Sequence, residues 1–316
     1  MRHFFIRLWE KTRLNKLFFG ANKEKGYALP TVLLISTIII VISAQITFSV
    51  RQKIETAVEL KARNMAYLKS HSAMSEVMYS ILASTFTGTG LRIFQEDGSQ
   101  TIWNLYGEPI ELSQGVTVRL RDTSGMLSPF SYQVHLRKLM EYVSKDSTKN
   151  NLFLDALADW QDPDDLKRLN GAESFDYRMA GYGYGPRNYF VQVPQELMLL
   201  KGFDQAVFDK ITEDLVYWSS GTINYLTMSE TLLRAMLGND PLADRIIQLR
   251  KEGNLTGKIF RDLTGTPIIE MGDFWPSGWI KVEIRAEVEK AVDNIEAVIL
   301  KRQFTGKPFM ITEWRR

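Results

Sequence analysis

From Gly26 to Val50 the chain carries no charged residue, and this stretch restricts the fold more than any other feature. As a helix rising ~1.5 Å per residue, YALPTVLLISTIIIVISAQITFSV reaches about 36 Å, longer than a bilayer core of roughly 30 Å. The pattern predicts a transmembrane helix over 27–50. Before it stand Arg2, Arg7, Lys11, Arg13, Lys16, Lys23 and Lys25 against only Glu10 and Glu24, the basic flank that membrane helices keep on the cytoplasmic side. Everything after the span is then expected outside the cytoplasm. Pro30 suits the first turn of such a helix, where its missing N–H deprives no carbonyl of a partner.

The rest of the composition excludes more than it assigns. With 39 basic and 37 acidic residues in 316, the chain is no polycation built to coat nucleic acid or anionic lipid. It has no cysteine, which rules out disulfides, thiol chemistry and cysteine-based zinc sites while leaving the compartment open. The length suits one anchor plus one large domain or two modest ones.

No small-x-small cleavage site follows the apolar run, as a secretory signal peptide requires; a charged KEKG precedes it instead. An ordinary signal anchor is the plainer alternative. Lys23-Glu24-Lys25-Gly26-Tyr27 resembles the site cut by prepilin peptidase, which implies cleavage between Gly26 and Tyr27. Thr31 then becomes the fifth mature residue, where most type IV pilins and major pseudopilins carry a glutamate that neutralises the amino terminus of a neighbouring subunit. An unpaired carboxylate in an apolar helix is costly, so a subunit with nothing stacked above it has no use for one. The plainer reading makes Thr31 a mildly polar residue in a membrane span.

Beyond Arg51, Ile54, Val58, Met65, Leu68, Met74, Val77, Met78, Ile81 and Leu82 recur mostly at three- and four-residue steps, predicting that the anchor continues as a helix to about Thr85, before Gly88-Thr89-Gly90. Strands are expected at 101–106, 109–112, 115–121, 279–286, 295–302 and 308–314, with clean alternation in WIKVEIRA. Between them the pattern is helical, at 133–143, 152–160, 195–200, 205–216, 229–237 and 242–251. The economical arrangement is α+β: a long N-terminal helix packed on an antiparallel sheet assembled from both ends of the sequence, with a large all-α insertion. The expected divisions are a leader at 1–26, a membrane helix at 27–50, a discontinuous α/β domain at 51–124 and 276–316, and the inserted α-domain at 125–275.

The densest acidic segment is Asp159-Trp160-Gln161-Asp162-Pro163-Asp164-Asp165, followed by Glu173 and Asp176. Clustered carboxylates on a chain turned by Pro and Gly suit a hard cation such as Ca²⁺, although the spacing is not that of an EF-hand; an acid-rich loop also serves as helix cap or solvated turn. Leu233–Ile247 and Leu199–Phe203 imitate helix-hairpin-helix units. Their Asp240 and Asp204 oppose phosphate, so both read as packing motifs and no nucleic acid is expected. The only histidines are His3, His71 and His135, and no P-loop or nucleophile elbow appears. No enzymatic activity is expected.

The KEKG site, the missing fifth-position glutamate, ALADWQDPDDLKRLNGAESFDY, GPRNYFVQVPQELMLLKGF, GTINYLTMSETLLRAML and the terminal ITEWRR together resemble, in that order, the general secretion pathway protein K family, the minor pseudopilin K of type II secretion. The resemblance implies a subunit at the tip of a periplasmic pseudopilus that promotes its initiation and protein export. It implies minor pseudopilins I and J as partners, processing by prepilin peptidase, and a single-pass place in the bacterial inner membrane with the N-terminus cytoplasmic and the C-terminal domain periplasmic. It also implies Ca²⁺ in the inserted domain, carried over onto Asp159, Asp162, Asp164, Asp165, Glu173 and Asp176 as a group. Two departures stand out. Ser124-Gly125-Met126-Leu127-Ser128 replaces the usual asparagine-rich turn, and Tyr225-Leu226 interrupts the small-polar run after Asn224. The alternatives are a type IV pilus minor pilin and a membrane-tethered DNA-binding protein of an uptake system.

Overall fold

The computed structural model describes residues 27–316 apart from 96, 130–132, 218–221, 267–273, 302–305 and 307. Gly26 and His3 lie outside the described residues. The chain divides between Lys61 and Ala62 into two units. In the first, the opening part of helix α1 (Ala28–Ala83) is apolar and exposed all round from Leu29 to Val50, as a helix solvated by lipid must be.

The second unit takes up the last part of α1 and all remaining elements. Here α1 buries Ala62, Ala66, Ser70, Ala73, Met74, Val77, Ser80 and Ile81. The stripe repeats every three to four residues and consists mostly of small side chains. Met65 and Leu68, which the apolar periodicity singles out, are exposed. Small residues let the helix backbone lie close to the sheet, and the bulky ones stay on the outer flank. The helix stops at Ala83, two residues before the expected end. There the Lys301 ammonium donates to the Ile81 and Ser84 carbonyls at 2.6 and 2.5 Å, satisfying carbonyls that the helix itself leaves open.

Five strands form the main sheet: β4 (Ile110–Ser113), β5 (Val116–Asp122), β6 (Trp279–Val288), β7 (Ala291–Lys301) and β8 (Phe309–Arg315). They pair in sequential order, antiparallel throughout. Alternation puts Val116, Val118, Leu120, Ile280, Val282, Ile284, Ala286, Ile295, Ala297 and Ile299 in one core with Ala73, Met74, Val77 and Ile81. Each fully buried Val, Leu or Ile contributes about 1.5–3 kcal/mol relative to exposure. A second, three-stranded sheet joins β1 (Thr85–Phe86), β2 (Gly90–Phe94) and β3 (Gln100–Asn104). The sequence reading places only a break at Gly88-Thr89-Gly90. The chain instead reverses there, and Gly90 sits so close to the Trp103 carbonyl that a Cβ would collide with it.

Helices α2 (Gln133–Val143), α3 (Ser147–Gln161), α4 (Ser174–Met179), α5 (Gln205–Ile211), α6 (Glu230–Leu237), α7 (Asp240–Lys251) and α8 (Gly257–Thr264) all fall between β5 and β6. They share a core of their own that includes Leu136, Leu139, Phe153, Leu157, Trp160, Leu232, Leu233, Ile246 and Phe260. Residues 194–199 and 212–214 adopt 3-10 geometry rather than the expected α-helices. In the second case Arg121 on β5 takes the Glu213 carbonyl at 2.8 Å and its carboxylate at 3.0 Å, which pulls the chain out of the helical path. Helices α4 and α8 are additions to the expected pattern.

One buried carboxylate fastens the insertion to the sheet. Asp122 ends β5 and is fully buried. Its Oδ1 accepts from Ser124 N–H at 3.2 Å, Ser277 N–H at 3.0 Å and Ser277 Oγ–H at 2.8 Å. Its Oδ2 accepts from the Ser124 hydroxyl, Thr227 Oγ1–H at 2.9 Å and Asn224 Nδ2–H at 3.3 Å. These donors come from the exit of β5, the turn before α6 and the entry to β6. Gly125 passes beside Thr227 with no room for a Cβ. Removing the carboxylate leaves buried donors unpaired, each costing about 1–3 kcal/mol. Asp122→Ala is expected to lower the unfolding free energy of the detergent-solubilised chain by about 3 kcal/mol or more, measured by chemical denaturation; a change within experimental scatter would show that the contact is dispensable.

Candidate functional site

Two regions bear on function, and the first is the anchor. No residue of the most apolar window of α1 is buried within the chain, and the helix is long and apolar enough to cross a membrane. Several of its hydroxyls are satisfied within the helix: Thr37 donates to the Leu33 carbonyl at 2.7 Å, Thr47 to the Ser43 carbonyl at 2.8 Å, and Thr31 to the Tyr27 carbonyl. Internal satisfaction is what a lipid environment demands of a polar group. Thr31 therefore uses its hydroxyl locally, and Tyr27 is the first described residue.

The second region is the acidic segment that leaves α3. Phe153, Ala156, Leu157 and Trp160 bury one face of α3, and Asp159 is buried with them. Its carboxylate accepts from the Arg168 guanidinium at 2.7 Å and from the Arg168 N–H at 3.2 Å. The same guanidinium reaches Asp162, and its two carboxylate partners push the Arg168 pKa up. Gly171 is required here, because a Cβ would strike the Asp159 carboxylate. Asn170 closes the loop through its N–H and side-chain amide on Asp155 Oδ2, at 3.1 and 2.8 Å.

Glu173 is the unusual member. It is 3% exposed, and neither carboxylate oxygen has a hydrogen-bond donor; Asp162 Oδ1 is likewise buried without one. Burial first, then the charges of Asp159, Asp162, Asp165 and Asp164, push the Glu173 pKa up to about 7. Asp176 points elsewhere: it accepts from Lys167 at 2.6 Å and from the Glu173 N–H at 3.1 Å, and the Lys167 bond holds its pKa down. Asp164 turns back onto the Leu166 N–H at 2.8 Å, and Asp165 is exposed.

The structure thus gathers Asp159 and Asp162 on Arg168, leaves Glu173 buried beside their negative charge, and keeps Asp176 on a separate lysine. Among the described residues no three acidic or histidine side chains stand in a ready-made metal cage. The donor chemistry still fits a hard cation, since orphaned, buried carboxylate oxygens face accumulated negative charge. Arg168 at present supplies the positive charge that an ion would bring. The sequence reading passes over that arginine, although it stands within the acidic run. It also passes over Glu196, a buried carboxylate that accepts from Trp160 Nε1 at 2.9 Å, from Gln192 N–H at 3.1 Å and from Arg187.

The remaining candidates are structural. In the α6–α7 hairpin, Leu232, Leu233, Ala235, Ala243, Ile246 and Ile247 are buried. Arg234, on α6, pairs with Asp244 at 2.5 Å and Asp240 at 3.4 Å. His71 lies against Tyr67 and Trp314, and His135 bonds the Tyr225 hydroxyl at 3.1 Å.

Residues 119–216, which run from β5 through the acidic segment to the 3-10 turn at 212–214, match the family model of type II secretion system protein K. Over those residues the chain is similar to the type II secretion protein K family. A protein K from Klebsiella pneumoniae is 28% identical over 210 residues, 60% of this chain and 61% of that protein. This protein therefore aligns with less than two thirds of that relative. The solved GspK-GspI-GspJ complex of the type 2 secretion system of enterotoxigenic Escherichia coli contains a chain of the same fold. The TM-score is 0.51 and the identity 15%, covering 80% of this chain and 95% of that one.

Titration separates the acidic residues experimentally. An unfolded glutamate loses its proton near pH 4.3, whereas Glu173 in the fold keeps it to about 7. The folded state then binds the extra proton, so the stability Glu173 confers is full below about pH 4.3 and declines as pH rises towards 7. Melting wild type and Glu173→Gln in parallel from pH 4 to 8 should show the variant gaining on wild type across this window. Parallel curves would contradict the perturbed carboxyl.

Proposed function

We propose that this chain is the minor pseudopilin at the tip of a type II secretion pseudopilus, where it promotes pseudopilus initiation and export across the outer membrane. The observation that carries this reading is a single chain combining an uncharged, fully exposed anchor helix with a sheet unit interrupted between β5 and β6 by a whole helical subdomain. The anchor suits assembly within the membrane, and the bulk of the insertion suits a subunit that ends a stack. Thr31, with its hydroxyl spent on its own helix, offers no carboxylate for the amino terminus of a subunit above.

In this reading residues 1–26 are a leader removed by prepilin peptidase between Gly26 and Tyr27. Residues 27–50 cross the inner membrane once, with the N-terminus cytoplasmic. Residues 51–124 and 276–316 form the pseudopilin domain in the periplasm, and 125–275 form its inserted α-domain. Pseudopilins I and J are the partners, by likeness to the solved complex that contains their counterparts. A structural Ca²⁺ in the inserted domain would be held by Asp159, Asp162 and Glu173, with Asp164 and Asp165 on the same loop. Its binding would release the Glu173 proton and move Arg168 off Asp162. Asp176, tied to Lys167, would join only if that pair opened.

Co-expression of the tagged full-length chain with pseudopilins I and J, followed by detergent extraction, tests the reading. A stable ternary complex is expected in Ca²⁺, with a chelator lowering the melting temperature of the chain, because a ligand that binds only the folded state stabilises it. Failure to co-isolate I and J would contradict the tip assignment, and identical melting in calcium and chelator would remove the calcium site.

A further inference from the structure

Arg250, at the end of α7, is 3% exposed and held from two sides. Its Nη1 donates to the Met228 carbonyl at 2.5 Å, and its guanidinium carbon lies 3.9 Å from the centre of the Tyr106 ring. Its Nε and Nη2, both buried, have no partner. Those two N–H groups form the side edge of the guanidinium, the planar fork that matches the two oxygens of a carboxylate. A buried charge left in this condition is costly to the fold. The stacked tyrosine and the Met228 bond fix the orientation of the fork, which is the preorganisation that recognition requires.

Arg250 also borders a cavity, from which its buried Nε and Nη2 are screened in this structure. Arg250 lines a space of about 450 Å³ between the three-stranded sheet and the end of α7, a size typical of ligand pockets. Among the described residues its charged lining is basic, Arg92 and Lys251 joining Arg250, while Ile102, Leu255 and Trp275 give it an apolar wall. Glu230 and Glu108, the described acids that act on Arg250, are engaged with Lys251, at 2.8 and 3.9 Å.

We propose that this cavity binds a carboxylate carried next to an apolar side chain, as an acidic residue of a partner polypeptide presents it, with Arg250 Nε and Nη2 taking its two oxygens. Lys251 and Trp275, exposed like Arg92 and Ile102 of the same lining, make way for the ligand. Lysine at 250 would keep the charge but lose the fork.

Calorimetric titration of the full chain in detergent tests this with three probes: N-acetyl-phenylalanine, its C-terminal amide, and a capped peptide with an internal Glu-Phe pair. The acid and the peptide are expected to bind and to compete, and the amide to bind at least tenfold more weakly. Arg250→Lys should lose about tenfold for the acid, and Arg92→Ala about threefold. The wild-type comparison of acid with amide stands even if the lysine variant fails to fold. No binding by any probe, or equal binding of acid and amide, would overturn the proposal and leave the fork merely hydrated. Binding of the free acid without the peptide would overturn the polypeptide source. Tighter displacement by inorganic phosphate would overturn the carboxylate assignment.

Discussion

The fold depends on a single buried carboxylate. Asp122 stands where the chain leaves the sheet for the insertion, and its six hydrogen bonds gather Ser124, Asn224, Thr227 and Ser277. Without it, the end of β5, the turn before α6 and the entry to β6 would have no common polar anchor, and the insertion would keep to the sheets mainly through side contacts such as Arg121 on Glu213 and Arg250 on Tyr106. Among the described residues the donors to Asp122 are all neutral and aimed by backbone turns. Such an arrangement tolerates neither loss of the acceptor nor displacement of the turns. Residues 124–128 and 225–226 flank that carboxylate, and serine and threonine supply most of the polar joint between the two subdomains.

What the sequence reveals follows the range of the physics behind it. The anchor is readable because hydropathy is additive along one segment. The strands 279–286 and 116–122 are readable because one face is buried and side chains alternate with period two. The close face of α1 is harder to read: Ala62, Ala66, Ser70 and Ala73 carry no apolar signal, and they pack because they are small. The hairpin sheet hides behind glycines that serve as a break and as a reversal alike. Asp122 is the extreme case, since Asn224, Thr227 and Ser277 lie more than a hundred residues away and nothing local marks them as its donors.

The acidic loop lies between these limits. Its composition identifies Asp159, Asp162, Asp164, Asp165, Glu173 and Asp176 as a group, and the fold divides that group by solvation. Asp159 pairs with Arg168 and Asp176 with Lys167, while burial and the neighbouring carboxylates push the Glu173 pKa up. Basic residues interleaved in an acidic run signal internal pairing, which counting carboxylates alone overlooks. The same principle, read with the opposite sign, distinguishes Arg250: a cation whose fork has no carboxylate among the described residues.

The proposed reading, a membrane-anchored subunit with one fixed place in an assembly, draws on the exposed apolar helix and the bulk of the insertion. That account stands on the start of the mature chain, because a free amino terminus at the head of the apolar helix separates a pseudopilin from an ordinary signal anchor. Amino-terminal sequencing of the chain isolated from membranes containing active prepilin peptidase tests it most directly. A start at Tyr27 is the predicted result, and retention of residues 1–26 would contradict the account.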